Sequence, residues 1–465
     1  MTDCNTKPID LEPILFSSLK RREVLADFNG GSLTSDAGAL LLREVDRKLG
    51  LTQALDKIIP DPRNQELITH QQLTLLRQRV YALAMGYEDV NDQQSLRDDP
   101  LMQVLTERGI QVVREKDGSC RQLPLASPPT ICRLENRISR QTLVDMSKVI
   151  VESFISSFDR PPEELVLDFD ATDDPVHGNQ AERFFHGYYD AYCFLPLYVF
   201  CGSQLLAAYL RPSNIDAAKH TWAILALLVK RFRQLWPQVK IVFRGDSGFC
   251  RWKMFRWCER HGVDYVVGMA KNKRLLALSK ELMDQAKEQF TVTGEKQRLF
   301  GWIEYAAGSW DKSRRLIAKA EHDAKGENPR FLVTTLEGEA QAIYDERYCV
   351  RGDAENRIKE QQLGLYADRT SCHDFEANQF RVLLSAAAYV LLDHLRRKAL
   401  AGTELQSAQV STIRLKLLKI GGRLVSSARR IVLHLAGGYP LQELFRRIVE
   451  RLMPPSLPTN LPNTT

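Results

Sequence analysis

Between residues 165 and 269 the chain alternates runs that suit strands with runs that suit helices, and this alternation limits the possible folds more than any other feature. Leu165 to Asp170 is a short apolar strand ending in acid. Cys193 to Phe200 and Gln204 to Leu210 read as two more strands, with a turn at Cys201-Gly202-Ser203. Ala217 to Trp236 carries Trp222, Ala226, Leu227 and Phe232 on one helical face. Lys240 to Phe243 is a strand running into Arg244-Gly245-Asp246, and a short helix near Arg251 to Arg260 precedes a fifth strand, Val263 to Met269. The order β-β-β-α-β-α-β predicts an α/β layer, with carboxylates at the ends of its first and fourth strands.

The flanks have a different texture. Residues 1–160 read as mainly helical: Thr34 or Ser35 can cap a helix through Val45, and Leu73, Leu76, Val80 and Leu83 recur at helical spacing. Ser127-Pro128-Pro129-Thr130 opens another helix, because a proline in the first turn removes an N–H that has no partner there. From 271 to 345 the runs Arg298–Ala306, Arg314–Ala318 and Arg330–Thr335 predict a β-rich insertion. Helices resume at about Asp353 and continue to Leu395, and the proline-rich tail 454–465 is expected to be disordered.

Charge is uneven. The whole chain carries +6, yet Arg396 to Arg451 holds twelve basic residues against Glu404, Glu443 and Glu450, a local net of +9. A basic segment on a near-neutral body points to a polyanion, most simply nucleic acid. No apolar run approaches the ~20 residues of a membrane span, and the N-terminus shows no secretory pattern, so a cytoplasmic protein with no membrane partner is expected. Nine cysteines without a CxxC pair argue for reduced thiols.

Asp168 and Asp170 lie two apart on a strand and so share a face, while Asp246 leaves the fourth strand at a turn. Several buried carboxylates are costly without a cation, and oxygen ligands suit Mg²⁺ or Mn²⁺. Tyr348, Arg351, Glu355, Lys359 and Gln362 fall on one face if Tyr348 to Gln362 is helical, giving a surface suited to a phosphate diester beside a metal. Lys271, Lys273 and Arg274 follow the fifth strand, and Trp302 and Trp310 lie in the insertion.

Read in order, Asp170-Ala171-Thr172, Arg244-Gly245-Asp246-Ser247-Gly248-Phe249 and Tyr348-x2-Arg351-x3-Glu355 resemble the DDE transposases of bacterial insertion sequences, most of all the thirteen-eighty insertion-sequence family. Phe28-Asn29-Gly30-Gly31, Gly86-Tyr87-Glu88-Asp89 and Ala377-Asn378-Gln379-Phe380-Arg381 spread that similarity over most of the chain. The resemblance implies a ribonuclease H-like catalytic core, a mixed five-stranded sheet with flanking helices. This core would run over 161–270 and 346–398, interrupted by the β-rich insertion at 271–345. A helical N-terminal region at 1–160 that binds DNA ends and a basic C-terminal region at 399–453 would complete it.

The same resemblance makes Asp170, Asp246 and Glu355 the catalytic and metal-binding residues, with two Mg²⁺ ions and Mn²⁺ as the substitute. Tyr348, Arg351, Lys359, Lys271, Lys273, Arg274, Trp302 and Trp310 become DNA contacts. The partners implied are double-stranded DNA, as transposon ends and target, and a second copy in a homodimeric end complex at the bacterial nucleoid. The activity implied is strand cleavage and transfer at terminal inverted repeats, by a cut-and-paste route. A metal-dependent nuclease without strand transfer and an inactive DNA-binding relic are the other classes that fit these residues. The family's lysine seven residues after the glutamate is absent; Gln362 stands there, and Lys359 is the substitute.

Overall fold

The computed structural model describes residues 12–114, 120–427 and 429–453; the tail read as disordered lies outside the described residues. Contacts gather the chain into two compact units, one of residues 1–149, 360–369 and 383–465, the other of residues 150–359 and 370–382.

The strands of the second unit are β1 (Glu164–Ala171), β2 (Asp174–Pro175), β3 (Phe184–His186), β4 (Ala191–Phe194), β5 (Leu197–Cys201) and β6 (Gln204–Tyr209). They continue with β7 (Lys240–Gly245), β8 (Asp264–Met269), β9 (Gln297–Tyr305), β10 (Arg314–Asp323), β11 (Gly326–Glu327) and β12 (Arg330–Thr334). Nine of them form one mixed sheet in the order β6-β5-β1-β7-β8-β12-β10-β9, with β11 paired to β10. β1, β7 and β8 run parallel, and the other pairs in the sheet are antiparallel.

This corrects the expectation of a five-stranded sheet interrupted by the insertion: the five strands lie side by side within a larger sheet. β8 presents Val266 and Val267, both buried, and β12 covers its edge with Phe331, Leu332 and Val333, so the strands of the insertion extend the same sheet. The insertion also begins as helix, Lys273–Leu278 and Lys280–Thr293, where Asn272 caps the first by accepting from the amides of Arg274 and Leu275. A second correction concerns 193–200. Pro196 has no N–H to give a ladder, and the run divides there: β4 joins β2 and β3 in a small sheet, while β5 joins the large one.

The alternation of β1 divides its residues between two faces. Leu165, Leu167 and Phe169 enter a large apolar cluster with Phe232, Phe243 and Phe255. The opposite face carries Val166, Asp168 and Asp170, where Val242 of β7 and Val266 of β8 form a smaller cluster with Ile343 and Tyr344. The chain from Ala340 to Lys359 is helical throughout, earlier than the Asp353 start read from the sequence. Its winding changes along the way: a wide π turn over Ile343–Tyr348, a tight 3₁₀ turn over Cys349–Arg351, then the α-helix Gly352–Lys359.

The first unit is largely helical, as its sequence suggests, with strands besides. Ile14–Leu19 and Arg22–Ala26 pair as a hairpin exposed along its length. Leu33–Thr34, Gly422–Ser426 and Ile431–Leu435 form a three-stranded sheet. Its interior holds a paired polar network: Asp46 accepts from Tyr81 at 2.7 Å and from the Thr52 amide at 2.9 Å, and Arg79 meets Glu135 at 3.0 Å. Five of the twelve basic residues from 396 to 451 are likewise engaged. Arg396 pairs with Glu360 and Asp393, Arg397 with Asp393, and Lys419 with Asp36, while Arg414 and Arg451 donate to backbone carbonyls. The other seven, Lys398, Lys416, Arg423, Arg429, Arg430, Arg446 and Arg447, are exposed. Among the described residues no helix is long and apolar enough to cross a membrane.

Candidate active site

Parallel pairing of β1 and β7 sets Arg244 beside Asp168 and Gly245 beside Phe169, so one step further Asp246 emerges next to Asp170 at the carboxyl ends of both strands. Open α/β sheets bind ligands at that edge. Asp246 leaves the strand into a short turn and accepts from the Gly248 amide at 2.8 Å, which fixes its carboxylate. Asp170 is nearly covered and accepts from Arg351 Nη1 at 3.1 Å. The other Arg351 nitrogen, Nη2, donates to Glu355 one turn along the helix Gly352–Lys359. Arg351 therefore bridges two carboxylates from distant parts of the sequence.

The electrostatics follow from that crowding. Burial pushes the Asp170 carboxyl up to about 7; Arg351 opposes the rise, and the nearby Asp246 and Glu355 add to it. Burial also raises the Tyr348 phenol, with Arg351 opposing and Asp246 adding. Tyr348 closes the site from the side of β8: a Cβ on Gly268 would stand 2.6 Å from the Tyr348 hydroxyl, 3.0 Å from the Ser247 amide nitrogen and 3.3 Å from the Asp246 carbonyl carbon. Only a glycine lets the phenol and the Asp246 turn approach the strand this closely.

Asp168, which shares a strand face with Asp170, has a different setting. It is 2% exposed and lies in a two-point pair with Arg244, whose Nη2 donates to Oδ2 at 2.7 Å and whose Nε donates to Oδ1. Arg244 Nη1 donates to the Arg347 carbonyl, immediately before Tyr348. One guanidinium thus joins β1, β7 and the helical stretch that carries Tyr348, Arg351 and Glu355. Arg244 precedes Asp246 by two residues, as Asp168 precedes Asp170, but only the register of β1 on β7 brings the two together.

The other residues expected to contact DNA scatter. Lys359 is exposed one turn beyond Glu355, and Lys271 and Lys273 are exposed after β8. Arg274 donates to the Ala306 carbonyl at 2.8 Å and lies over the Tyr305 ring. Trp302 is half-buried beneath the Arg315 guanidinium, 4.1 Å from its ring centre. Trp310 packs edge-on against Phe255 and Tyr305 beside the large core cluster.

A trio of carboxylates offers an all-oxygen donor set, and the mutual repulsion felt at Asp170 is the kind that a hard divalent cation relieves. The chemistry of the donors fits such an ion. Among the described residues, however, no group of three or more His, Cys, Asp or Glu side chains is gathered tightly enough to hold one, and Arg351 supplies the counter-charge to Asp170 and Glu355.

Residues 16–456 match the protein family described as transposase DDE domain group 1. No curated protein matches the sequence. Among solved structures, the cryo-EM structure of the piggyBac transposase synaptic complex with hairpin DNA is similar at 10% identity over 93% of this chain and 87% of that one. The TM-score is 0.42, too loose a likeness to carry an argument.

Proposed function

We propose, since the chain belongs to the DDE transposase family of domain group 1, that it binds the terminal inverted repeats of its own insertion sequence and there cuts DNA and joins it to a target, by a cut-and-paste route. Its finer kinship is to the thirteen-eighty insertion-sequence family, whose ordered phrases it carries. The observation that supports the reading most is the convergence of Asp170, Asp246, Arg351 and Glu355 at the carboxyl edge of two parallel strands.

Asp170, Asp246 and Glu355 would hold the divalent ions that DDE transposases use, Mg²⁺ with Mn²⁺ as substitute. When bound, such ions supply Lewis-acid activation of the attacking oxygen and stabilisation of the departing one in an in-line displacement at phosphorus. Arg351, whose planar fork spans Asp170 and Glu355, would offer the same fork to the phosphate. Tyr348, held against Gly268, would donate its hydroxyl to the DNA end. Lys359, Lys271 and Lys273 are free to reach the backbone from the exposed surface around these strands. In the first unit the seven exposed basic residues would contribute phosphate contacts, and two DNA ends joined in one complex call for a homodimer.

The test is strand cleavage and joining on duplexes carrying the element's ends, with Mg²⁺, Mn²⁺ or EDTA. Glu355→Gln is expected to abolish both reactions and to leave end binding largely intact. Equal loss of binding would remove Glu355 from the site. Cutting that ignores the end sequence and never joins would make the protein a nuclease.

A further inference from the structure

The chain between β1 and β5 places aromatic rings in solvent. β3 and β4 pair as a hairpin in which Phe185 stands opposite Tyr192, and these two rings contact edge-to-face at 5.7 Å. Arg183, two residues before Phe185 and so on the same face, lies over the Tyr192 ring at 4.7 Å. The turn adds Tyr188, 84% exposed and packed edge-on to Tyr189. Phe185 and Tyr192 are themselves half in solvent, at 53% and 50%. Scattered exposed apolar residues need no explanation, but two aromatic rings paired on one short hairpin, with an arginine stacked on Tyr192, form a patch that points to a partner.

The hairpin is tied to the site by the main chain. β1 ends at Ala171, the Thr172 amide donates to the Pro196 carbonyl, and β5 pairs Leu197 with Ala171 and Tyr198 with Asp170. β2, which begins two residues after Thr172, pairs with β4. Burial, together with the nearby Asp173, Tyr188 and Asp170, pushes the Tyr189 phenol up to about 12. The turn is also shaped in advance, since both the Tyr189 and Asp190 amides donate to the His186 carbonyl.

We propose that Phe185 and Tyr192, with Arg183 stacked on Tyr192, form a platform for an unpaired DNA base beside the phosphodiester handled at Asp170. The proposal rests on the transposase reading and deepens it. A base offers a flat π-face to such rings whatever its identity, and the guanidinium adds cation–π attraction and a phosphate contact. Enzymes that work on DNA take bases out of the stack at a cost in pairing, and the strand that follows the hairpin is the one paired with Asp170.

The experiment uses the full-length protein in EDTA with two fluorescent probes, a blunt duplex and the same duplex with a short single-stranded overhang carrying 2-aminopurine. Wild type is expected to prefer the overhang and to quench the 2-aminopurine. In Tyr192→Ser and Phe185→Ser the preference should fall about tenfold, the scale of one stacked base. The quench should vanish and blunt-duplex affinity should hold, while Tyr192→Phe keeps both signals. Quenching unchanged in the serine variants, or equal loss of both probes, overturns the platform. Serine variants that only shift the protein from dimer to monomer in sedimentation, with the overhang preference intact, also overturn it and make the face a self-association surface. Metal-dependent cleavage by wild type separates the two readings: if it cleaves ends while the variants quench normally, the platform alone falls, and if it neither cleaves nor binds DNA, both fall.

Discussion

Arg244 and Asp168 lie one layer beneath the carboxylates that the sequence patterns single out, each two residues earlier on its own strand. Side chains two apart share a face, so the alternation that aims Asp170 and Asp246 at one edge also buries a matching ion pair below them. Removing one member of a buried pair leaves the other charge without compensation, typically at about 3–5 kcal/mol. Arg244→Met is therefore expected to lower the urea-unfolding free energy by about that amount, and Asp168→Asn in the same chain should recover part of it. The folded fraction of Arg244→Met should also lose strand cleavage, because the Arg347 carbonyl loses its anchor just before Tyr348. Full activity in that fraction would reduce the pair to a matter of stability. At this scale much of the site was legible: strand ends that close in acid are local patterns. The Asp168–Arg244 pair was legible only with the register of β1 on β7, which no local pattern states.

Among elements, β8 shows how a strand shapes a site without contributing a charged group to it. Gly268 lets the Tyr348 hydroxyl and the Ser247 amide sit where a methyl would otherwise stand. Gly268→Ala is expected to displace both, reducing cleavage at least tenfold while end-binding affinity changes little; a kinetic comparison with a binding titration checks this. Unchanged cleavage would mean that the phenol has room to move. The strand positions at 164–171, 240–245 and 264–269 were readable because apolar runs of that length have few other uses. The extension of the sheet was not, since β12 finds β8 across more than sixty residues through backbone hydrogen bonds that leave no periodic trace. The aromatic hairpin is a different case. Phe184, Phe185, Tyr188, Tyr189 and Tyr192 stand close together in the sequence, but they fall between the apolar strand runs, where no strand pattern marks them. The change from π to 3₁₀ to α winding around Tyr348 and Arg351 was also hidden, although such irregular turns gather at functional sites.

For the whole molecule, the basic C-terminal segment carries two roles that composition merges. Five of its cations are spent on pairs and carbonyls inside the first unit, and seven face solvent. Only the latter can release counterions from DNA. Arg446 and Arg447 lie exposed on the helix Gln442–Leu452, and replacing both with alanine should reduce the slope of log affinity against log salt by about 2. A slope that does not move would place the DNA backbone elsewhere.

The order in which the two units are written along the chain has a further consequence. The unit that begins first is also the one that finishes last, because its helices near the N-terminus belong with residues 360–369 and 383 onward. A ribosome would release every residue of the sheet-bearing unit by position 382, while the opening helices were still without their closing segments. Leu41, Leu42 and Val45, buried on the helix Leu40–Leu49 that packs against Leu395–Ala399 and Gln442–Leu452, would spend that interval without this cover. The earliest part of the nascent chain is thus the part with most need of a chaperone, and a polypeptide stopped near residue 382 would present a complete large sheet attached to an unfinished, aggregation-prone beginning.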